Sequence, residues 1–145
     1  MDRFIFIADV GPLHTLAAAR SLGLLMTTQT FVTDLVMMAL ETSLDQPENQ
    51  EILEFLVQAM AQAGTPLSKV VTGVPDKLDL LRSLRVDPFS LSLKIALEDH
   101  AALHPGTLRL LLLDDSFIAK YAWVLSDSVK MLPTSQLMER FGVGI

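Results

Sequence analysis

The chain contains no cysteine. That removes disulfide frameworks and thiolate metal sites, and with them the small secreted folds that depend on either. Positive charge is also scarce. Eleven Lys and Arg stand against 17 Asp and Glu, a net charge of −6, which argues against a protein that grips nucleic acid through a general basic surface. It leaves room for a metal enzyme acting on RNA, because clustered metal-binding carboxylates themselves push the balance negative. Long apolar runs are missing too: Arg20, Asp34 and Arg109 interrupt every candidate for the roughly 20 apolar residues that span a bilayer. Met1 to Asp9 is too short and too acidic at its end for a signal peptide, so a cytoplasmic domain without a membrane segment is the default expectation. No Gly-rich phosphate loop, internal repeat or low-complexity linker occurs. His14, His100 and His104 lack the spacing of a metal set, and Ser90 and Ser92 lack a neighbouring His/Asp signature for nucleophilic catalysis.

What is present is apolar residue, half of 145 positions, enough for one domain over residues 1–145 with a sheet covered on both faces. The organising stretch is Phe4-Ile5-Phe6-Ile7-Ala8-Asp9. An uncharged run ends abruptly on an acid, Gly11-Pro12 breaks it, and Leu13, Leu16 and Ala17 follow at helical spacing. This reads as a buried parallel strand whose tip presents one carboxylate, followed by a helix packed back on the sheet. Leu110 to Leu113 followed by Asp114-Asp115 repeats the pattern. In open α/β sheets ligands bind outside the carboxyl ends of strands, which singles out both tips.

Between the tips, the pattern predicts an extended stretch at Leu24–Thr28 and a helix from Gln29 to about Thr42 with Phe31, Leu35 and Met38 inward. A helix over 46–63 follows, with Asp45 and Glu48 at N-capping spacing. A strand is expected at Leu67–Thr72, and a helix from Pro75 to Leu84 whose Leu78, Leu81 and Leu84 could serve a dimer. Another helix runs Ser90–Leu103. After the strand Arg109–Leu113 come a helix over Ser116–Leu125, a strand over Val129–Leu132, and a closing helix capped by Thr134 and running through Phe141. Alternating βα units of this length predict a three-layer α/β domain with a mainly parallel central sheet. The methionines read as core, Lys120 as a solvated side chain, and His14 as a weak candidate for substrate contact.

Four stretches together resemble the PIN domain, the small α/β nuclease fold found in many toxins of bacterial toxin–antitoxin pairs. They are Ala8-Asp9-Val10-Gly11-Pro12-Leu13-His14-Thr15-Leu16, Phe31 to Glu41, Leu111-Leu112-Leu113-Asp114-Asp115-Ser116-Phe117-Ile118-Ala119-Lys120, and Val129 to Ser135. The resemblance implies a metal-dependent endoribonuclease in which carboxylates hold Mg²⁺ or Mn²⁺, activate a water and stabilise charge on the phosphate. It puts Asp9, Asp114 and Asp115 in the metal-binding and catalytic positions, with Glu41 and Glu98 as helpers. It further implies RNA as substrate, an antitoxin or other protein partner, and a homodimer. The chain departs from the family's pattern at two acidic positions, which hold Ala39 and Ser90. Glu41 lies two residues, about 200° of helix, from the first of these. The alternative expectation is therefore a degenerate, non-catalytic PIN-like domain that works through protein–protein interaction or dimerisation.

Overall fold

The structure is a computed structural model describing residues 3–114 and 118–140. In chain order the elements are β1 (Arg3–Ile7), α1 (Gly11–Ala18), β2 (Thr30–Thr33), α2 (Asp34–Glu41), α3 (Pro47–Ala61), β3 (Leu67–Val70), α4 (Leu78–Ser83), α5 (Pro88–Leu103), β4 (Leu108–Leu113), α6 (Ile118–Tyr121), β5 (Val129–Pro133) and α7 (Thr134–Arg140). Short 3-10 turns cover Leu22–Met26, Val74–Lys77 and Ala122–Val124.

The five strands form one sheet in the order β3-β2-β1-β4-β5, and every pairing is parallel. Side-chain alternation along β1 divides the core in two. Ile5 and Ile7 pack with Leu13, Leu16, Ile52 and Leu56 under α1 and α3. Phe4, Phe6 and Ala8 face the other way, onto Leu93, Ala96 and Leu97 of α5 and Tyr121 of α6. The strands of such a sheet are buried on both faces, which is why β1 and β4 read as continuous apolar runs. The expected three-layer α/β domain with a parallel sheet is the observed fold. Among the described residues no helix is long and apolar enough to cross a membrane.

Several local expectations are corrected. Leu24–Thr28 is not extended; it overlaps the 3-10 turn, and the second strand is Thr30–Thr33. The following helix starts at Asp34 rather than Gln29, with the Thr33 hydroxyl accepting from Val36 N (3.3 Å) as its N-cap. The helical spacing of Phe31, Leu35 and Met38 misled because β2 is only four residues long and is held in place by β1 and β3 on either side. α3 begins at Pro47 without a side-chain cap from Asp45; the buried Asn49 instead ties its first turn back to Ser43 O (2.9 Å). Residues 75–84 divide into a 3-10 turn and the short α4. There Leu81 is buried with Leu35 and Val74, so a Leu78/Leu81/Leu84 surface does not exist; the exposed pair is Leu80 and Leu84. α5 starts earlier than expected, at Pro88, because the Asp87 carboxylate caps it through Ser90 N (3.2 Å). The described part of the Ser116–Leu125 helix is one turn of α-helix followed by a 3-10 turn. Thr134 is the first residue of α7, and its buried hydroxyl has no hydrogen-bond partner among the described residues; Phe141 lies outside them.

Candidate functional site at the strand tips

The chain leaves β1 to build one side of the sheet through β2 and β3, then returns to build the other through β4 and β5. The gap between β1 and β4 is therefore the topological switch point, where parallel sheets open a crevice at their carboxyl ends. Ile7 pairs with Leu112, and Ala8 N bonds Leu112 O at 3.1 Å. Asp9 and Asp114, each two residues further on, thus leave neighbouring strands at the same level. The sequence expectation of two acidic tips side by side is met for these two residues. Asp115 lies outside the described residues.

Each carboxylate has partners. Asp9 is nearly buried, at 9% exposure. Its Oδ1 accepts from Val10 N (2.6 Å) and its Oδ2 from the Tyr121 hydroxyl (3.0 Å). The Asp114 carboxylate accepts from the Thr15 hydroxyl of α1, 3.1 Å from both oxygens. A third acid joins them from the start of α5: Asp87 accepts from the Ser90 hydroxyl (2.6 Å) and lies 3.6 Å from Lys120 Nζ. The same ammonium is 3.7 Å from Asp9 Oδ2. Lys120 is exposed, as the sequence suggests, with 37% of its side chain accessible, but it is also paired. It stands between two carboxylates, 5.8 Å from the Phe89 ring centroid and 5.3 Å from that of Tyr121, positions from which an aromatic face attracts a cation. Burial raises the Tyr121 phenol above its ordinary range, and the Asp9 charge, the hydrogen bond to Asp9 and the Asp87 charge raise it further. The phenol is accordingly a fixed donor to Asp9.

The two helper acids lie elsewhere. Glu41 is exposed at the last position of α2, about 10 Å along the helix axis from its first residue. Glu98 is exposed nearly three turns into α5 and pairs with Lys94 (3.9 Å). Ala39 instead lines a groove of about 640 Å³ with Leu35, Met38, Leu78, Arg85 and Phe89. Asp34, for its part, serves structure: its carboxylate accepts from Leu35 N, Thr72 N, Thr72 Oγ1 and Gly73 N, joining α2 to the end of β3. His14 hydrogen-bonds Asn49 Oδ1 (2.7 Å), linking α1 to α3.

Sequence reading missed Asp87, Tyr121 and Thr15. Only Asp87 carried a local signal, the capping pattern Asp87-Pro88-Phe89-Ser90; the others reach the cleft through contacts about 100 residues apart in the chain. Among the described residues no group of three His, Asp or Glu is arranged to hold a metal ion. The donor set explains why. One face of the cleft is filled by an ammonium, and Ser90 supplies a hydroxyl committed to Asp87. The described residues as arranged do not fit a Mg²⁺ or Mn²⁺ centre. No protein-family model matches the chain, and no curated protein matches it either.

Proposed function

We propose that this chain is a PIN-like domain that has kept the architecture and part of the acidic cleft but acts by association rather than by cleaving RNA, in a cytoplasmic setting. The observation that carries this reading is the fate of the two departing positions. Ala39 opens onto an apolar groove, and the Ser90 hydroxyl hydrogen-bonds the carboxylate that caps its own helix. Neither can offer an anionic oxygen to a hard cation, which prefers such ligands. The partner is a second copy of the chain, meeting across Leu80 and Leu84. These leucines, one on α4 and the other its C-cap residue, are 57% and 61% exposed and four residues apart, an apolar pair that a symmetric contact would cover.

The test is Mn²⁺ calorimetry and RNA cleavage on the full chain, with light scattering for the oligomeric state. No saturable heat at millimolar metal, no cleavage, and a dimer that Leu84→Asp dissociates support the reading. A second reading, the metal-dependent ribonuclease with an antitoxin partner, is favoured by Asp9 and Asp114 standing at the same level on neighbouring strand ends. Mn²⁺-dependent cleavage abolished by Asp9→Asn and by Asp115→Asn would establish it and overturn the first.

A further inference from the structure

We infer that Lys120 is the resident cation of the strand-tip cleft, joining Asp9 to Asp87 as a bridging divalent ion would and thereby excluding one. The inference rests on the cleft geometry alone and holds whether or not the domain belongs with PIN proteins.

A single ammonium pairs with carboxylates from two different elements, the end of β1 and the start of α5, at 3.7 and 3.6 Å. At these distances the contact is charge pairing rather than a tight hydrogen bond. That suits a cation placed centrally between two anions better than one bound to either. Its position is further defined by the Phe89 and Tyr121 rings. The carboxylates are oriented independently of it, Asp9 by Val10 N and the Tyr121 hydroxyl, Asp87 by Ser90. The acids are thus held in position while the cation arrives on a tether from α6. A tethered group acts at a high effective concentration, against which a free ion must compete. A divalent ion would also have to displace a charge that already neutralises half of the Asp9–Asp87 pair. Without the ammonium, two oriented carboxylates that both reach within 3.7 Å of its position lose their shared counter-charge, and neighbouring like charges favour uptake of a cation.

Thermal unfolding with and without 5 mM Mn²⁺ separates the possibilities. In wild type the inference expects no shift in Tm with Mn²⁺. Lys120→Met, which keeps the length of the side chain and removes its charge, should lower Tm by a few degrees, and Mn²⁺ should restore it. In Lys120→Met/Asp9→Asn the charge conflict is gone, so the loss should shrink and the Mn²⁺ response vanish. Paramagnetic broadening of the free Mn²⁺ signal should report binding to Lys120→Met alone. If Lys120→Met does not fold unaided, recovery from urea only when Mn²⁺ is present, or folding restored by the added Asp9→Asn, supports the inference. Failure of both overturns it. Stabilisation of the wild type by Mn²⁺, or a Lys120→Met protein as stable as wild type and indifferent to the metal, also overturns it. Mn²⁺-dependent RNA cleavage abolished by Asp9→Asn would overturn this inference together with the proposed function, whereas a wild-type chain that stays monomeric would sink the proposed function without touching this result.

Discussion

Arg109 donates its Nε–H to Nδ1 of His100 at 2.8 Å, and that bond requires the imidazole to be neutral. Both side chains are buried beneath α5, with the imidazole 4.4 Å from Phe4 and 5.4 Å from Phe6 and Phe31 between ring centroids. The guanidinium is completed by two carbonyls near the end of α5, His104 O (2.9 Å) and Thr107 O (3.3 Å). These contacts sit at the amino ends of the strands, opposite the acidic cleft.

The pair makes stability depend on pH. Burial foremost, then the Arg109 and His104 charges, lower the His100 pKa from 6.5 to about 4. The unfolded chain therefore takes up this proton first. The contribution is complete above pH 6.5 and is lost as pH falls from there to about 4. Its full size is on the order of 3 kcal/mol, from 1.36 kcal/mol per pKa unit. His100→Gln keeps an acceptor for Arg109 but does not titrate. Urea unfolding at pH 7, 5.5 and 4.5 should show the wild type losing more stability than this variant across that window. Parallel losses in the two proteins would show that His100 does not titrate on unfolding.

Tyr121 and Asp9 supply the second prediction. The phenol is fully buried and donates to the carboxylate at 3.0 Å. Tyr121→Phe preserves the ring between α6 and the sheet but removes a donor from a nearly buried anion, a loss of about 2 kcal/mol for a bond to a charged group. Combined with Asp9→Ala, which removes the acceptor altogether, the two costs should not add, because both break the same bond. A double-mutant cycle by denaturant titration reads the coupling, and strict additivity would contradict the assignment.

How much of this was legible beforehand follows from the range of the interactions involved. β1 and β4 are continuous apolar runs ending on acids, so the sheet's centre and the Asp9 and Asp114 tips could be read locally. β2 could not, since Thr30–Thr33 is short and its apolar residues also satisfy a helical period; its flanking strands decide the matter. The cap at Thr33 was the available cue. Lys120 reads as a solvated side chain and is exposed, but nothing in its local sequence reveals its carboxylate partners. Its place is set by Asp9, 111 positions away, and by Asp87. Charge pairing between distant elements leaves no periodic trace in a single sequence.

Asp34 tests the distinction between structural and site acids. Its four hydrogen bonds fix the junction of β2, α2 and the turn after β3. Asp34→Ala strands the Thr72 and Gly73 amides and should cost about 3 kcal/mol. Asp34→Asn should cost roughly half of that. Its amide nitrogen, a donor, must face at least one backbone N–H, which loses its acceptor, although the Thr72 hydroxyl can turn to accept from it. Neither variant should alter cation binding at Asp9 and Asp87. A change in the Mn²⁺ response of the Lys120→Met protein on adding Asp34→Asn would place Asp34 in the cleft.

Two arginines adopt backbone angles usually left to glycine: Arg20 at φ 55° and Arg85 at φ 57°. Each follows a helix and closes it in the same way. Ser21 N bonds Leu16 O (2.8 Å) after α1, and Val86 N bonds Leu81 O (3.0 Å) after α4, the six-to-one contact that needs a left-handed residue in between. A side chain there costs about 1–2 kcal/mol of strain. Glycine removes that strain but loses about 0.5–1 kcal/mol through the greater freedom of the unfolded chain. Arg20→Gly and Arg85→Gly should therefore each stabilise the fold by about 0.5–1 kcal/mol, and because they close different helices the gains should add. Chemical denaturation of the two single variants and the double variant measures this directly. A loss of stability in either single variant would mean that the arginine side chain makes a compensating contact stronger than the strain it causes.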